Sequence, residues 1–228
     1  MSSFAPAAWC IDSLCTPAKF RLPGVPEAVR QARFPFRLLR YWFMHEALRA
    51  EGLRRAGGRF EVTEIGLDVG QMLAFSRDTL AHRGEPLPWT RWSGLDCQPQ
   101  WDALRAAGYD EVACIDLDLP EQLAARPAGS CDAIVLLHVL ERAWWERRLR
   151  ARARPRGHVS VISPQRVRDW GDALALETEW LAGAFFMRRK GNPLENQAWW
   201  LRANLAFGRR FPGWPGEIYW GWRKPAAG

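Results

Sequence analysis

Phe60-Glu-Val-Thr-Glu-Ile-Gly-Leu-Asp-Val-Gly70 decides how the rest of this chain is read. Val62, Thr63 and Ile65 are β-branched residues suited to a buried strand, and the strand breaks at Gly66. A helix is expected to follow, from Gln71 to Leu80. Where a strand hands over to a helix in an open α/β sheet, a nucleotide-like cofactor binds, and glycine lets backbone come close to it.

The same pattern recurs downstream. Thr90 to Leu95 reads as a second strand ending in Asp96, where such folds set a carboxylate against the two ribose hydroxyls of a nucleoside. Val112 to Ile115 ends at Asp116, Cys131 to Leu137 ends at His138, and Val159 to Ile162 ends at Ser163. Helix-length segments, Gln98 to Ala107, Pro120 to Ala125 and Glu141 to Ala153, separate them. Strands alternating with helices predict an α/β fold, a parallel sheet wound on both faces. The chemistry is expected along the carboxyl edge of that sheet.

In this register the residues resemble the class I S-adenosylmethionine-dependent methyltransferases, of the type 11-like group. Glu64-Ile-Gly-Leu-Asp-Val-Gly70 stands where that family has Glu-x-Gly-x-Gly-x-Gly, and Gly94-Leu-Asp96 is similar to the end of its second strand. Ala107-Gly-Tyr-Asp-Glu-Val-Ala-Cys-Ile-Asp116 resembles its third strand. Ser130-Cys-Asp-Ala-Ile-Val-Leu-Leu-His-Val-Leu-Glu141 resembles its fourth, with the family's His-Val-Leu-Glu-His ending. Arg154-Pro-Arg-Gly-His-Val-Ser-Val-Ile-Ser163 looks like its Arg-Pro-Gly-Gly turn and fifth strand. Glu217-Ile-Tyr-Trp-Gly-Trp-Arg-Lys-Pro225 echoes its last strand.

The resemblance implies a Rossmann-like, doubly wound, mostly parallel seven-stranded sheet with helices on both faces. It implies S-adenosylmethionine as cofactor, a methyl acceptor that is a small molecule or a glycan, and cofactor contacts at Glu64, Gly66, Asp68, Gly70, Asp96, Cys97 and Asp116. It also sets the organisation: a loose lead-in over 1–33, then one domain over 34–228. Within that domain, 34–58 is a packing or lid helix, 59–163 the cofactor half and 164–228 the substrate half.

Two positions depart from the family. Asp68 replaces the middle glycine, where a carboxylate would repel the carboxylate of the cofactor's methionine moiety. Asp tolerates a left-handed backbone better than most residues, and some sugar methyltransferases look similar here, with Glu-Ile-Gly-Ser-Asn-Asp-Gly. Arg142 replaces the second histidine of His-Val-Leu-Glu-His, which removes a ligand from the place where some relatives recruit a metal, so no metal is expected.

Methyl transfer needs mainly alignment, which accounts for about 7 to 11 kcal/mol of barrier, whereas a general base adds about 10²- to 10⁴-fold. His138, at the end of the fourth strand, is the candidate base, and shaping the pocket is its other reading. Glu141 reads as a first-turn helix acid.

Composition bounds the remaining classes. With 228 residues and 48% apolar content the chain can bury one sizeable core. No apolar run reaches the roughly 18 residues that a membrane-spanning helix needs. The first ten residues lack a basic charge and a long apolar stretch, so they do not read as a secretion signal. Five cysteines, at 10, 15, 97, 114 and 131, lack paired spacing, which disfavours a disulfide framework and a zinc site and fits a reducing cytoplasm.

Seven arginines and one glutamate between Arg142 and Arg156 carry +6 of the net +7. That run reads either as a docking face for an anionic partner or as a solvated helix in an arginine-biased chain. A helix over Pro35 to Ala56, with Leu38, Leu39, Trp42, Phe43 and Ala47 at helical spacing, reads as packed on the sheet, and its other reading is an interfacial membrane helix. Trp199, Trp200, Leu201 and Leu205 are expected in the core, and Trp220 and Trp222 alternate in the last strand. Beside methyl transfer, two functions remain open: a cofactor-free interaction module, motivated by Asp68, and a nicotinamide-dependent oxidoreductase. The latter is disfavoured because Gly-x-Gly-x-x-Gly is absent.

Overall fold

The structure, a computed structural model, describes residues 27, 38–55, 58–116, 119–127, 130–136, 164–184, 194, 197–214 and 217–225. They fall into two compact units, one built around 41–160 and the other around 161–228.

The first unit contains α1 (Leu39–Arg54), β1 (Glu61–Ile65), α2 (Gln71–Arg83), β2 (Arg91–Asp96), α3 (Trp101–Ala107), β3 (Glu111–Cys114), α4 (Pro120–Ala124) and β4 (Ala133–Leu136). The four strands are parallel, in the order β3-β2-β1-β4. β1 and β2 are buried almost without alternation, as strands covered on both faces must be. On one face Ile65, Leu95 and Ile115 form an apolar cluster with Ala113. The other face carries Val62 and Glu64 beside their register partners Trp92 and Gly94.

This architecture is the expected α/β one, a parallel sheet flanked by helices. The seven-stranded sheet is corrected: four strands join it among the described residues. Val159 to Ile162, the expected fifth strand, lies outside them, as do Glu141 to Ala153. The expected last strand pairs elsewhere, as set out below.

α1 buries Leu39, Tyr41, Trp42, Phe43, His45 and Leu48. Tyr41 lies 6.1 Å from Phe75 between ring centroids, and His45 meets the same ring edge-on at 5.9 Å. At the far ends, Arg49 Nε and Nη2 donate to Glu85 at 2.5 and 3.0 Å, and Arg83 pairs with the same carboxylate at 2.7 Å. Contacts that advance together along both chains mean that α1 and α2 run parallel. The helix is packed, as expected, but the contacts seen are with α2 and not with the sheet; its apolar residues Leu38, Leu39, Trp42 and Phe43 are buried, which disfavours the interfacial reading.

At the amino edge of the sheet one side chain joins three elements. Asp132, just before β4, accepts from the Glu61 backbone N–H at 2.8 Å and from Arg55 at 2.7 Å, while Arg55 also lies over the Phe60 ring at 5.1 Å. These bonds, that of the Glu61 backbone first, hold the Asp132 carboxyl below its ordinary range.

The second unit contains α5 (Pro164–Ala173), β5 (Glu177–Ala184), α6 (Ala198–Arg210) and β6 (Glu217–Arg223). β5 and β6 form an antiparallel two-stranded sheet, so the expected closing strand exists but finds its partner in a segment that sequence reading had not marked as a strand. Trp180 stands opposite Gly221, where an added Cβ would fall 2.3 Å from the indole nitrogen. α6 lies on β5 so closely that a Cβ at Gly208 would sit 1.8 Å from the Gly183 carbonyl oxygen. Trp200, Leu201 and Leu205 are buried as expected, but Trp199 is corrected: it is 57% exposed. At helical spacing its neighbour Trp200 takes the inward position and leaves Trp199 outside.

Candidate functional site

The carboxyl ends of β1, β2 and β3 bring together the loop 66–70, Asp96 with Cys97, and Asp116. The loop is built from left-handed residues at every second position: Gly66 at φ 81°, Asp68 at φ 47° and Gly70 at φ 75°. Asp68 thus holds the conformation that its side chain tolerates, and its carboxylate is exposed. Gly70 is the N-cap of α2, and no side chain caps that helix end.

Gly70 has a second reason to be glycine. A Cβ there would lie 2.8 Å from Ala107 Cβ and 3.1 Å from the Tyr109 ring, so α2 can start only where α3 leaves room. Gly94 is similar, because Leu67 and the Tyr109 ring fill the space its side chain would need. Leu67 itself is buried. The loop is folded down onto the sheet by apolar contact, and the Gly70 N–H closes it onto the Leu67 carbonyl at 2.8 Å.

Asp96 locks the loop in place. Its Oδ2 accepts from the Leu67 N–H at 2.7 Å, and its Oδ1 accepts from the Gln98 N–H at 2.8 Å. The Gly66 N–H donates to the Leu95 carbonyl at 2.9 Å, adding a rung beyond the regular ladder. Each carboxylate oxygen has room for about two hydrogen bonds, so Asp96 retains acceptor capacity toward the edge.

Glu64 has a different place. It is buried in β1, where Trp92 Nε1 donates to its Oε2 at 3.1 Å and the Tyr109 hydroxyl donates to the same oxygen at 2.7 Å. Burial pushes its carboxyl up to about 7 against the pull of these two bonds. The Tyr109 hydroxyl is raised too, by burial and by the neighbouring Glu64. Glu64 therefore supports the loop from beneath, through Tyr109. Sequence reading missed Tyr109 and Trp92, whose roles depend on contacts 45 and 28 residues away from Glu64.

Cys97 and Cys114 are free and exposed, and the Cys114 thiol donates to the Cys97 carbonyl at 3.4 Å. Partial burial raises the Cys97 thiol, with the Asp96 charge adding to it. Asp116 is exposed, and its N–H donates to Gln122 Oε1 at 2.9 Å, fixing the turn into α4. Gly66, Asp68, Gly70, Asp96, Cys97 and Asp116 thus line one sheet edge, while Glu64 lies under it. His138, Glu141, Ser163 and the Arg142 to Arg156 run lie outside the described residues.

Such an edge offers carboxylates to hydroxyl or amino donors and an uncapped helix start to a polar or anionic group. Among the described residues no three His, Cys, Asp or Glu side chains are grouped to hold a metal ion. Nor is any helix among them long and apolar enough to cross a membrane. No protein-family model, no curated protein and no solved structure matches the chain at a significant level.

Proposed function

We propose that this chain is an S-adenosylmethionine-dependent methyltransferase acting on a small-molecule or glycan acceptor. The observation that carries the reading is the strand order β3-β2-β1-β4. From β1 the chain steps outward to β2 and β3 and then returns to the other side of β1, and open parallel sheets bind ligands outside the carboxyl ends at such a reversal. The left-handed loop 66–70 and the uncapped start of α2 stand at that point.

The residues fit the cofactor in kind. Asp96 would accept both ribose hydroxyls with its remaining acceptor capacity, and Cys97 and Asp116 would flank the base. The loop 66–70 would face the amino acid portion, with Asp68 held clear by its exposed orientation. The bound cofactor supplies a methyl group already activated by its sulfonium. The protein's part is to align an acceptor with that methyl and exclude water, and a base is needed only where the acceptor loses a proton. His138 is proposed for that proton.

A second reading, the cofactor-free interaction module, is favoured by one observation. Gly70 and Gly94 are required by the packing of Ala107, Leu67 and Tyr109, with or without a ligand. Calorimetry with S-adenosylmethionine, S-adenosylhomocysteine and NAD separates the readings. The methyltransferase reading expects micromolar binding of S-adenosylhomocysteine and a loss of about 10- to 100-fold in Asp96→Asn, which keeps one acceptor oxygen for the loop. A wild type silent at millimolar cofactor would leave the interaction module, and binding of NAD alone would leave the oxidoreductase.

A further inference from the structure

α6 turns Trp200, Leu201 and Leu205 inward, and what it leaves outside is unusual for a solvent-facing surface. Trp199 is 57% exposed, and in the turn after the helix Phe211 is 41% and Trp214 76% exposed. Phe207, Phe211 and Trp214 gather into a knob, with ring centroids 5.0, 6.0 and 6.3 Å apart. Clustered exposed aromatic surface marks an interaction site.

The charge around the knob is of one sign. From Gln197 to Trp214 there are three arginines, Arg202, Arg209 and Arg210, and no acid. All three are exposed, and none forms an ion pair among the described residues. By contrast Arg49, Arg55, Arg83, Arg91 and Arg223 each hold a carboxylate. Trp199, Ala203, Ala206 and Arg210 recur at four, three and four residues, so Trp199 and Arg210 share one stripe of the helix. The Arg210 guanidinium also lies over the Phe211 ring, its carbon 5.4 Å from the centroid, a cation–π contact that sets this charge beside the knob.

We propose that this end of α6 and the Phe211 to Trp214 turn form a docking surface for an anionic phospholipid membrane. Indole and phenyl rings settle at headgroup depth, and unpaired arginines draw phosphates, each contributing about 1 kcal/mol near an anionic surface. A nucleic acid strand is the competing polyanion, but it is served by open flat rings on which successive bases stack. Here the three rings meet at 44°, 47° and 73°, two pairs tilted and one edge-on, so no two of them lie flat and parallel as a stacking platform. That shape suits insertion as a knob better than stacking. The proposal is independent of the methyltransferase reading.

Flotation of the full chain with vesicles tests it. Vesicles of phosphatidylglycerol mixed with phosphatidylcholine are expected to carry the wild type upward at low salt, and phosphatidylcholine alone to carry far less. Arg209→Gln with Arg210→Gln is expected to weaken partition by about 25-fold, and Phe211→Ser with Trp214→Ser to weaken it at every lipid composition. Unchanged melting of both variants shows that folding is intact. A wild type that stays down with phosphatidylglycerol vesicles overturns the proposal. So do folded variants that float like the wild type, since the Arg142 to Arg156 run would then be the binding element, and so does a wild type that binds a single-stranded oligonucleotide but no vesicle.

Discussion

Glu64, in β1, and His45, between α1 and α2, are both ionisable and both buried, yet the two regions treat them differently. Around Glu64 the sheet supplies two donors, Trp92 Nε1 and the Tyr109 hydroxyl, and burial sets its carboxyl near 7. Among the described residues neither ring nitrogen of His45 has a hydrogen-bond partner, and burial together with Arg83 and Arg49 lowers the imidazole to about 3. A buried acid that is hydrogen-bonded and a buried base that is not are different risks to the same unit, and they act at opposite ends of the pH scale.

The signs follow from which state binds the proton. Glu64 holds its proton more tightly folded than unfolded, so its contribution is complete below about 4.5 and is lost as pH rises through about 7. His45 holds its proton less tightly folded, so its contribution is complete above 6.5 and is lost as pH falls through about 3. Between 4.5 and 6.5 the two slopes oppose each other, and a stability plateau is expected there.

Glu64 offers the largest way to break this contrast. Glu64→Ala leaves the Trp92 and Tyr109 donors buried and unpaired beside a cavity, and a loss of about 3 to 5 kcal/mol in urea unfolding is expected. Glu64→Gln keeps an oxygen for both donors and carries no charge. It is expected to lose little at pH 5 and to abolish the alkaline decline, a gain on the order of 3 kcal/mol over wild type at pH 8. An alkaline decline that persists in the Gln variant would assign it to another group.

His45 comes next. His45→Leu removes two unpartnered nitrogens and the acid-side slope together. At pH 4 it is expected to be more stable than wild type by roughly 2 to 3 kcal/mol, and at pH 8 to differ by less than about 1 kcal/mol. Glu85 works the other way and favours the protonated ring, which keeps the gain in this range. An acid profile identical to wild type would mean that His45 is not the group that titrates.

Asp68 gives the smallest effect and moves the comparison to the exposed edge. Its φ of 47° is one that glycine adopts without strain, so Asp68→Gly is expected to change stability by no more than about 1 kcal/mol in urea unfolding. A loss well beyond that would mean that the side chain has a bonding partner in the loop and that its exposure is not the whole description.

Much of this first unit was legible in the chain. The strands at Glu61–Ile65, Arg91–Asp96, Glu111–Cys114 and Ala133–Leu136 fall within a residue or two of where β-branched runs and their polar ends placed them. The loop after β1 was legible for the same local reason. Gly66, Asp68 and Gly70 belong to the few residue types that accept a left-handed backbone, and all three adopt it. Local chemistry dictates local conformation, and no partner is needed to read it.

What only the tertiary structure decided are the facts that need two distant segments at once. Sequence placed Asp96 at an edge, but not its bond to Leu67 across 29 residues, which makes it the lock of the loop. It showed glycine at 70 and 94 but not the Ala107, Leu67 and Tyr109 atoms that require it. The pairing of Glu177–Ala184 with Glu217–Arg223, in a sheet of two strands, was equally hidden. So was the choice of Trp200 over Trp199 for the core. A side chain's type and spacing constrain the backbone around it, whereas burial, bonding partners and the proton affinity of Glu64 and His45 are set by whichever atoms the folded chain brings against them.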